Sequence, residues 1–336
     1  MLKFMRSFPG GVLLLALAAF ILPVSCTTVS PVTSALERGI PKAPSPESIL
    51  PQWRPFAADT VRGLDYFAGK TARPRLEFRA LRVDLAEPGL RLVVYDGEHA
   101  APGKKLAAGA AAPQNGASIP STWVSGFVRR YGLLAGINAG PFDPVSGREG
   151  EPRTNIGISV AGGVLVSPPV PQFDALVFYT GGGAAIRSQG DLGDLSAIQE
   201  AVGGFYQVLG EGRLTERTRL LAESPSNPRH PRSAAGISAD GKFLYLLVID
   251  GRRPGSVGAT EAETGIILRQ LGAAEGINLD GGGSTSLALR FPDGRVRPVN
   301  VPIHRGIPGR ERGVASCLGI GAVSGAPAVE AAPETP

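Results

Sequence analysis

Ile277-Asn278-Leu279-Asp280-Gly281-Gly282-Gly283-Ser284-Thr285 joins a short apolar run to an aspartate, three glycines and two hydroxyls. The apolar residues predict a buried strand over 276–279 that stops at the carboxylate. Three adjacent glycines lose much backbone entropy on folding. The main chain there is therefore expected to turn through positive φ or to lie against something. A carboxylate fixed beside bare N–H groups can meet a polyhydroxylated ligand with both. The plainer alternative is a tight turn or bulge that Asp280 caps.

Polar residues punctuate other strand ends in the same way. Asn138 closes an expected strand over 133–138 and enters Ala139-Gly140-Pro141-Phe142-Asp143. Asp250 closes a strand over 242–250 and enters Gly251-Arg252, and Arg232 directly precedes a strand over 234–238. Strand ends on one side of a sheet can converge on a common cleft. Asn138 offers donor and acceptor, the aspartates offer acceptors, and Arg232 and Arg252 offer fork-shaped cations suited to phosphate. Each alone is equally consistent with a turn residue.

Around these points strands outnumber helices. Strands are expected over 76–85 and 90–95 about a Glu87-Pro88-Gly89 turn, over 156–160 and 164–167 about Ala161-Gly162-Gly163, and over 175–179, 205–209, 286–291 and 316–323. The spacing of Val124, Phe127, Val128 and Tyr131 predicts a helix over 121–130, with Ser121 as its cap and Gly132 as its stop. Residues 194–201 suggest a second short helix. Thr260 and Glu263 form a capping box for a third, which runs through Leu271 and ends at Gly272. Hairpins with a few packed helices indicate an α+β fold: a mixed β-sheet core in a single catalytic domain over 73–325.

The 336 residues are 43% hydrophobic and 19% charged, which is globular material, and 46 glycines with 30 prolines foretell many turns. The formal charge is +5. Removing residues 1–25 takes away Lys3 and Arg6, leaving 32 basic and 29 acidic side chains, or +3. So small and scattered an excess argues against a nucleic-acid partner. Lys3 and Arg6, then the apolar run from Val12 to Leu22, form an export signal too short to span a bilayer comfortably. Pro23-Val24-Ser25-Cys26 resembles a bacterial lipobox, departing from it at Pro23. Cleavage before Cys26 and lipid on its sulfur would tether the chain to a cell membrane or outer membrane, facing periplasm or exterior. The alternative is an ordinary signal peptide with an incidental cysteine. Residues 26–72, rich in Pro, Ser, Thr and Ala, are expected as a linker, with Trp53 and Phe56 packing on the domain edge. Residues 326–336 are expected as a disordered tail. Cys317, the other cysteine, lies in an apolar run and is expected to be buried.

Five segments occur in the order seen in phosphodiester glycosidase domains. They are Ile137-Asn138-Ala139-Gly140-Pro141-Phe142, Arg232-Ser233-Ala234-Ala235-Gly236-Ile237, Val248-Ile249-Asp250-Gly251-Arg252, Asn278-Leu279-Asp280-Gly281-Gly282-Gly283-Ser284 and Glu311-Arg312-Gly313-Val314. The chain resembles that family over roughly residues 75–324. The family includes the animal uncovering enzyme and many exported bacterial proteins. One departure is Ala139-Gly140-Pro141 where the family often carries Gly-Gly-Phe after the asparagine. Pro141 removes a backbone donor.

The resemblance implies hydrolysis of a sugar-1-phosphodiester at the anomeric carbon, on envelope glycans or glycolipids, with no cofactor. A phosphate leaving group needs charge neutralisation more than protonation, and Arg232 or Arg252 can supply it. A carboxylate would stabilise the oxocarbenium-like carbon or activate water. Asp280 is the first candidate, Asp250 the second and Glu311 the third, with nucleophile and general base left open. Asn138, Gly140, Gly281, Gly282, Ser284 and Arg312 complete the expected substrate contacts.

Rival chemistries fit less well. Ser284 lacks a G-x-S-x-G setting. His99, His230 and His304 have no evident partners and are expected to be structural or superficial. No zinc motif, EF-hand or P-loop occurs, so no metal is expected. The main rival is a non-catalytic envelope lipoprotein that binds phosphoglycans through the same cleft. A serine esterase ranks third.

Overall fold

Phe243–Ile249 is apolar throughout, FLYLLVI, because both of its faces are covered. Leu244, Leu246 and Val248 point into one core, and Tyr245, Leu247 and Ile249 into another, as the two-residue period of a strand requires. This strand lies near the middle of an eight-stranded sheet in a computed structural model describing residues 48–57, 61–97, 118–145, 148–224 and 227–323. The expected signal segment, Cys26, the linker up to residue 47, His99 and the tail 326–336 lie outside the described residues.

The long sheet runs in the order Arg54–Pro55, Leu64–Ala72, Arg75–Asp84, Phe243–Ile249, Arg232–Ile237, Glu275–Asn278, Tyr206–Gly210, Arg213–Leu214. All of its pairings are antiparallel. One face packs on two five-stranded sheets. The first contains Ala135–Asn138, Leu287–Arg290 and Cys317–Ala322; the second contains Asp174–Tyr179 and Ile198–Gly203. Leu81, Leu246, Ile137, Leu318, Leu176 and Val202 meet in that shared core. The opposite face is covered by helix α3, Glu261–Leu271, through Ile267, Leu268 and Leu271. Burial of each such side chain contributes about 1.5–3 kcal/mol. Helix α1, Val124–Arg130, covers the outer face of the Ala135–Asn138 sheet with Phe127 and Val128. Helix α2 is Glu216–Glu223.

Strands therefore dominate more heavily than the expected mixture; the Ala161-Gly162-Gly163 turn does join a hairpin, whereas the strands on either side of Glu87-Pro88-Gly89 lie in different sheets. Thr260 and Glu263 do form a capping box, and Gly272 ends α3 at φ 114°. Three expectations need correction. The 194–201 segment is not a helix. Asp194 caps only the single 3₁₀ turn Leu195–Ala197, and Ile198–Gly203 then pairs on both sides as a central strand. Ser121 does not cap α1; its hydroxyl donates to the Arg148 carbonyl, and Trp123 stands at the cap. The 26–72 linker stops short of 72, because Leu64–Ala72 pairs along its length with Arg75–Asp84. Strand Val296–Pro298 and helix α2 were not foreseen at all. Trp53 does pack on the sheet, against Phe67 and Tyr245 under the Arg82 guanidinium. Cys317 is buried. No helix among the described residues is long and apolar enough to cross a membrane.

Candidate active site

Register decides which strand ends meet. Arg232 pairs with Ile249, and Ala234 pairs with Asn278. Residues 230–232, 250–252 and 279–282 therefore leave the long sheet at one end. The glycine loop is stitched across two sheets there. The Leu279 and Gly282 N–H groups donate to Ser233 O (2.9 Å) and Pro231 O (2.8 Å) of the long sheet. The Asp280 N–H donates to Ala139 O (2.8 Å), next to the end of the neighbouring sheet's strand Ala135–Asn138. Asn138 lies beneath. Its Nδ2 donates to Asp280 O at 2.5 Å, and its Oδ1 accepts from Ser233 Oγ (2.7 Å) and the Ser286 N–H (3.1 Å).

The glycines are required by what surrounds them. A Cβ on Gly281 would stand 2.8 Å from Pro231 O; one on Gly283 would stand 2.5 Å from Arg312 Nη2. Gly282 has φ 62° and lies beside the Arg252 guanidinium, 3.1 Å from the place of a Cβ. Both arginines thus close on the loop that carries Asp280.

The Asp280 carboxylate accepts from Ser284 and from the Gly281 N–H, and it faces Arg312. Ser284 Oγ in turn accepts from Arg312 Nη1 at 3.1 Å, so the hydroxyl's single proton goes to the carboxylate. Desolvation outweighs these favourable partners and pushes Asp280 up to about 6. Burial likewise pulls Arg312 below its ordinary value.

Two histidines have partners at the site that the sequence did not show. His304 Nδ1 accepts from Arg312 Nε at 3.1 Å, and His230 Nδ1 lies 3.3 Å from Arg252 Nη2. Burial, reinforced by Arg312, Arg305 and Arg310, pulls His304 down to about 4. Burial with Arg232 and Arg252 lowers His230. Both rings are therefore neutral acceptors that orient the arginines. Arg252 itself holds φ 58°, a left-handed conformation costing a side-chain-bearing residue about 1–2 kcal/mol.

Three other expected residues are occupied elsewhere. All three Arg232 nitrogens are engaged: Nη1 with Glu261 (2.9 Å), Nε with Ala259 O (2.8 Å) and Nη2 with Pro228 O (3.3 Å). That side chain locks the sheet edge to the start of α3. Asp250 is buried, with Oδ1 accepting from the Val301 N–H (2.9 Å) and Asn300 Nδ2 (3.3 Å), and Oδ2 paired with Arg253 (2.8 Å). Asn300 continues to Thr285 O at 3.1 Å, so Asp250 braces the far end of the glycine loop. Glu311 accepts from the Ser125 N–H (3.1 Å), the Ser125 hydroxyl and Ser286 Oγ (2.9 Å). Gly140 is buried one residue beyond Ala139; a Cβ there would meet Gly203 O at 3.1 Å. Asn155 Oδ1 and Ser316 Oγ near it have no partner. The Pro141 carbonyl accepts from Ile156 N–H at 2.9 Å.

Among the described residues no group of three or more His, Cys, Asp or Glu is placed to hold a metal. The site offers one carboxylate of raised pKa facing Arg312, with Arg252 beside Gly282 of the same loop and each arginine backed by a histidine.

The model of the phosphodiester glycosidase family matches residues 131–321. Two solved structures share the fold. The catalytic domain of zebrafish N-acetylglucosamine-1-phosphodiester alpha-N-acetylglucosaminidase, auto-inhibited by its pro-peptide, is 16% identical. That match has a TM-score of 0.53 and covers 81% of this chain and 88% of the other. A protein of Burkholderia pseudomallei described as exported is 17% identical, with a TM-score of 0.52 and 74% of each chain covered. No curated protein sequence matches. With the family match spanning most of both sheets that carry the Asp280 loop, the chain belongs to the phosphodiester glycosidase family.

Proposed function

We propose that this protein hydrolyses a sugar-1-phosphodiester at the anomeric carbon, with Asp280 as the working carboxylate. The observation that supports this reading is the setting of Asp280: one carboxylate of raised pKa, bonded to Ser284 and facing Arg312, with Arg252 across Gly282. Arg252 and Arg312 receive the diester anion and neutralise the charge that grows on the departing phosphate. That leaving group is a weak base and needs no acid. A single carboxylate therefore suffices where ordinary glycosides need two.

In the step, the C1–O bond to phosphorus's oxygen breaks and its electron pair stays on the phosphomonoester. A water oxygen bonds to C1 and its proton passes to Asp280, then to solvent. Asp280 acts deprotonated, and a carboxyl lifted to about 6 is a better base than an ordinary aspartate. Asp250, Glu311 and Arg232 act by bracing the loop and its neighbours. Export, and lipid on Cys26, remain part of the proposal, supported by the charged and apolar leader of the sequence.

A panel of sugar-1-phosphodiesters with reducing-sugar detection tests the reaction. Wild type should release sugar and Asp280→Asn should not, while remaining folded. Tight binding of the diester by wild type with no release would favour the phosphoglycan-binding alternative. Near-normal turnover by Asp280→Asn would remove Asp280 from the mechanism.

A further inference from the structure

A cavity of about 740 Å³ opens beside the site on the side of His304 and Glu311. His304 forms the partition: its Nδ1 holds Arg312, and its ring lines the cavity. Three arginines line the space, Arg129 from the last turn of α1, Arg148, and Arg310. None of the three guanidinium groups makes a salt bridge among the described residues, although the Glu151 carboxylate accepts from the Arg148 backbone N–H at 3.0 Å, and all three arginines are exposed. The two carboxylates in the wall are already committed. Glu149 pairs with Arg130 and accepts from the Trp123 N–H; Glu311 serves Ser125 and Ser286. Three guanidinium groups against two carboxylates leave the wall with a net positive charge, and the cavity begins one residue from the arginine that faces Asp280. Trp123, 42% exposed, stands at its rim as an apolar wall.

We infer that this cavity is the leaving-group side of the site and takes an alcohol that carries a second phosphate. The inference rests on the proposed reaction. It adds the substrate class: a sugar joined through phosphate to a unit that is itself phosphorylated, as in a polyanionic chain. The scissile phosphate sits with Arg252 and Arg312. The next phosphate reaches Arg129, Arg148 and Arg310, where free guanidinium forks can bind its oxygens in pairs.

The test uses two diesters with the same sugar, one esterified to glycerol and one to glycerol phosphate. For wild type, kcat/KM should favour the phosphorylated substrate. In Arg129→Ala/Arg310→Ala that preference should fall by about tenfold or more, since a lost charge-assisted contact is worth roughly 1.5–3 kcal/mol. An equal kcat/KM for the two substrates in wild type, or a preference that survives the double variant, overturns the inference. A binding arm covers failure of the reaction itself. Propane-1,3-diyl bisphosphate should perturb Trp123 fluorescence in Asp280→Asn, and this signal should vanish in Trp123→Phe and weaken in the double arginine variant. If neither diester is cleaved yet the bisphosphate binds in this way, the reaction fails and the anion site stands. If both are cleaved and the bisphosphate leaves Trp123 unmoved, the reaction stands and the anion site fails.

Discussion

Arg312 donates to Ser284 Oγ at 3.1 Å, and the same hydroxyl holds the Asp280 carboxylate. One hydrogen-bond chain thus ties the arginine proposed to receive phosphate to the carboxylate proposed to act at the sugar. Its consequence is measurable in the pH profile. In the proposed reaction Asp280 works ionised, and its carboxyl is pushed up to about 6, so kcat/KM should rise with pH and level off above that value. Ser284 favours the charged form. Ser284→Ala should therefore move the acid limb upward by about one pH unit, the equivalent of a ~1.4 kcal/mol contact. A limb that stays in place would show that another group governs it.

Arg232 and Arg252 should separate cleanly. Arg232→Met breaks a buried ion pair with Glu261 and two backbone contacts, and should lower stability by about 3–5 kcal/mol. Arg252→Gly instead relieves the left-handed backbone, and should stabilise by about 0.5 kcal/mol once the greater freedom of unfolded glycine is counted. It should nonetheless lower kcat/KM by about a hundredfold as the diester loses a charged contact. Urea titration and steady-state kinetics on both variants check the pair.

Gly281 and Gly283 should differ in kind. Alanine at 281 meets a carbonyl that cannot step aside, and should destabilise the fold by about 1–3 kcal/mol. Alanine at 283 meets only the Arg312 guanidinium, which can swing away. Its melting temperature should hold while KM for the diester rises. Thermal melts alongside kinetics distinguish the two outcomes.

Glu200 should give the fold a pH dependence remote from the site. Its carboxylate accepts from the Val94 N–H (3.1 Å) and the Gly162 N–H (3.0 Å), yet burial still pushes it up to about 7. The folded state therefore prefers the protonated acid. Stability should be greatest below its unfolded value of 4.5 and should fall as pH rises through about 7, by up to ~3 kcal/mol. Asp280 adds a slope of the same sign. Glu200→Gln loses one backbone contact at every pH but should show a flatter fall between about pH 5 and pH 8. An unchanged slope in urea titrations would remove Glu200 as its source.

Local chemistry made parts of this architecture legible in advance. The α3 capping box, its glycine stop and the Ala161-Gly162-Gly163 hairpin turn each need only neighbours a few residues away. The same holds for the Asp280 loop, whose composition announces close backbone contact. What escaped reading depends on distant partners. The 194–201 segment carries a genuine cap at Asp194, but pairing with two strands outweighs one turn of helix. Leu64–Ala72 mixes Asp65, Lys70 and two tyrosine or phenylalanine rings without clean alternation, so nothing local marks it as sheet. His230 and His304 look isolated in sequence and gain meaning only from Arg252 and Arg312. For Asp250 and Glu311, residue type suggested reactivity. Val301, Asn300, Ser125 and Ser286, which occupy their oxygens, come from other parts of the chain.

The glycine loop hangs from Pro231 on one layer and Ala139 on the other. Filling the cleft and gluing the layers are consequently linked equilibria, and a molecule gripping both edges must resist their parting. A tight inhibitor should slow amide exchange deep in Phe243–Ile249, far from anything it touches.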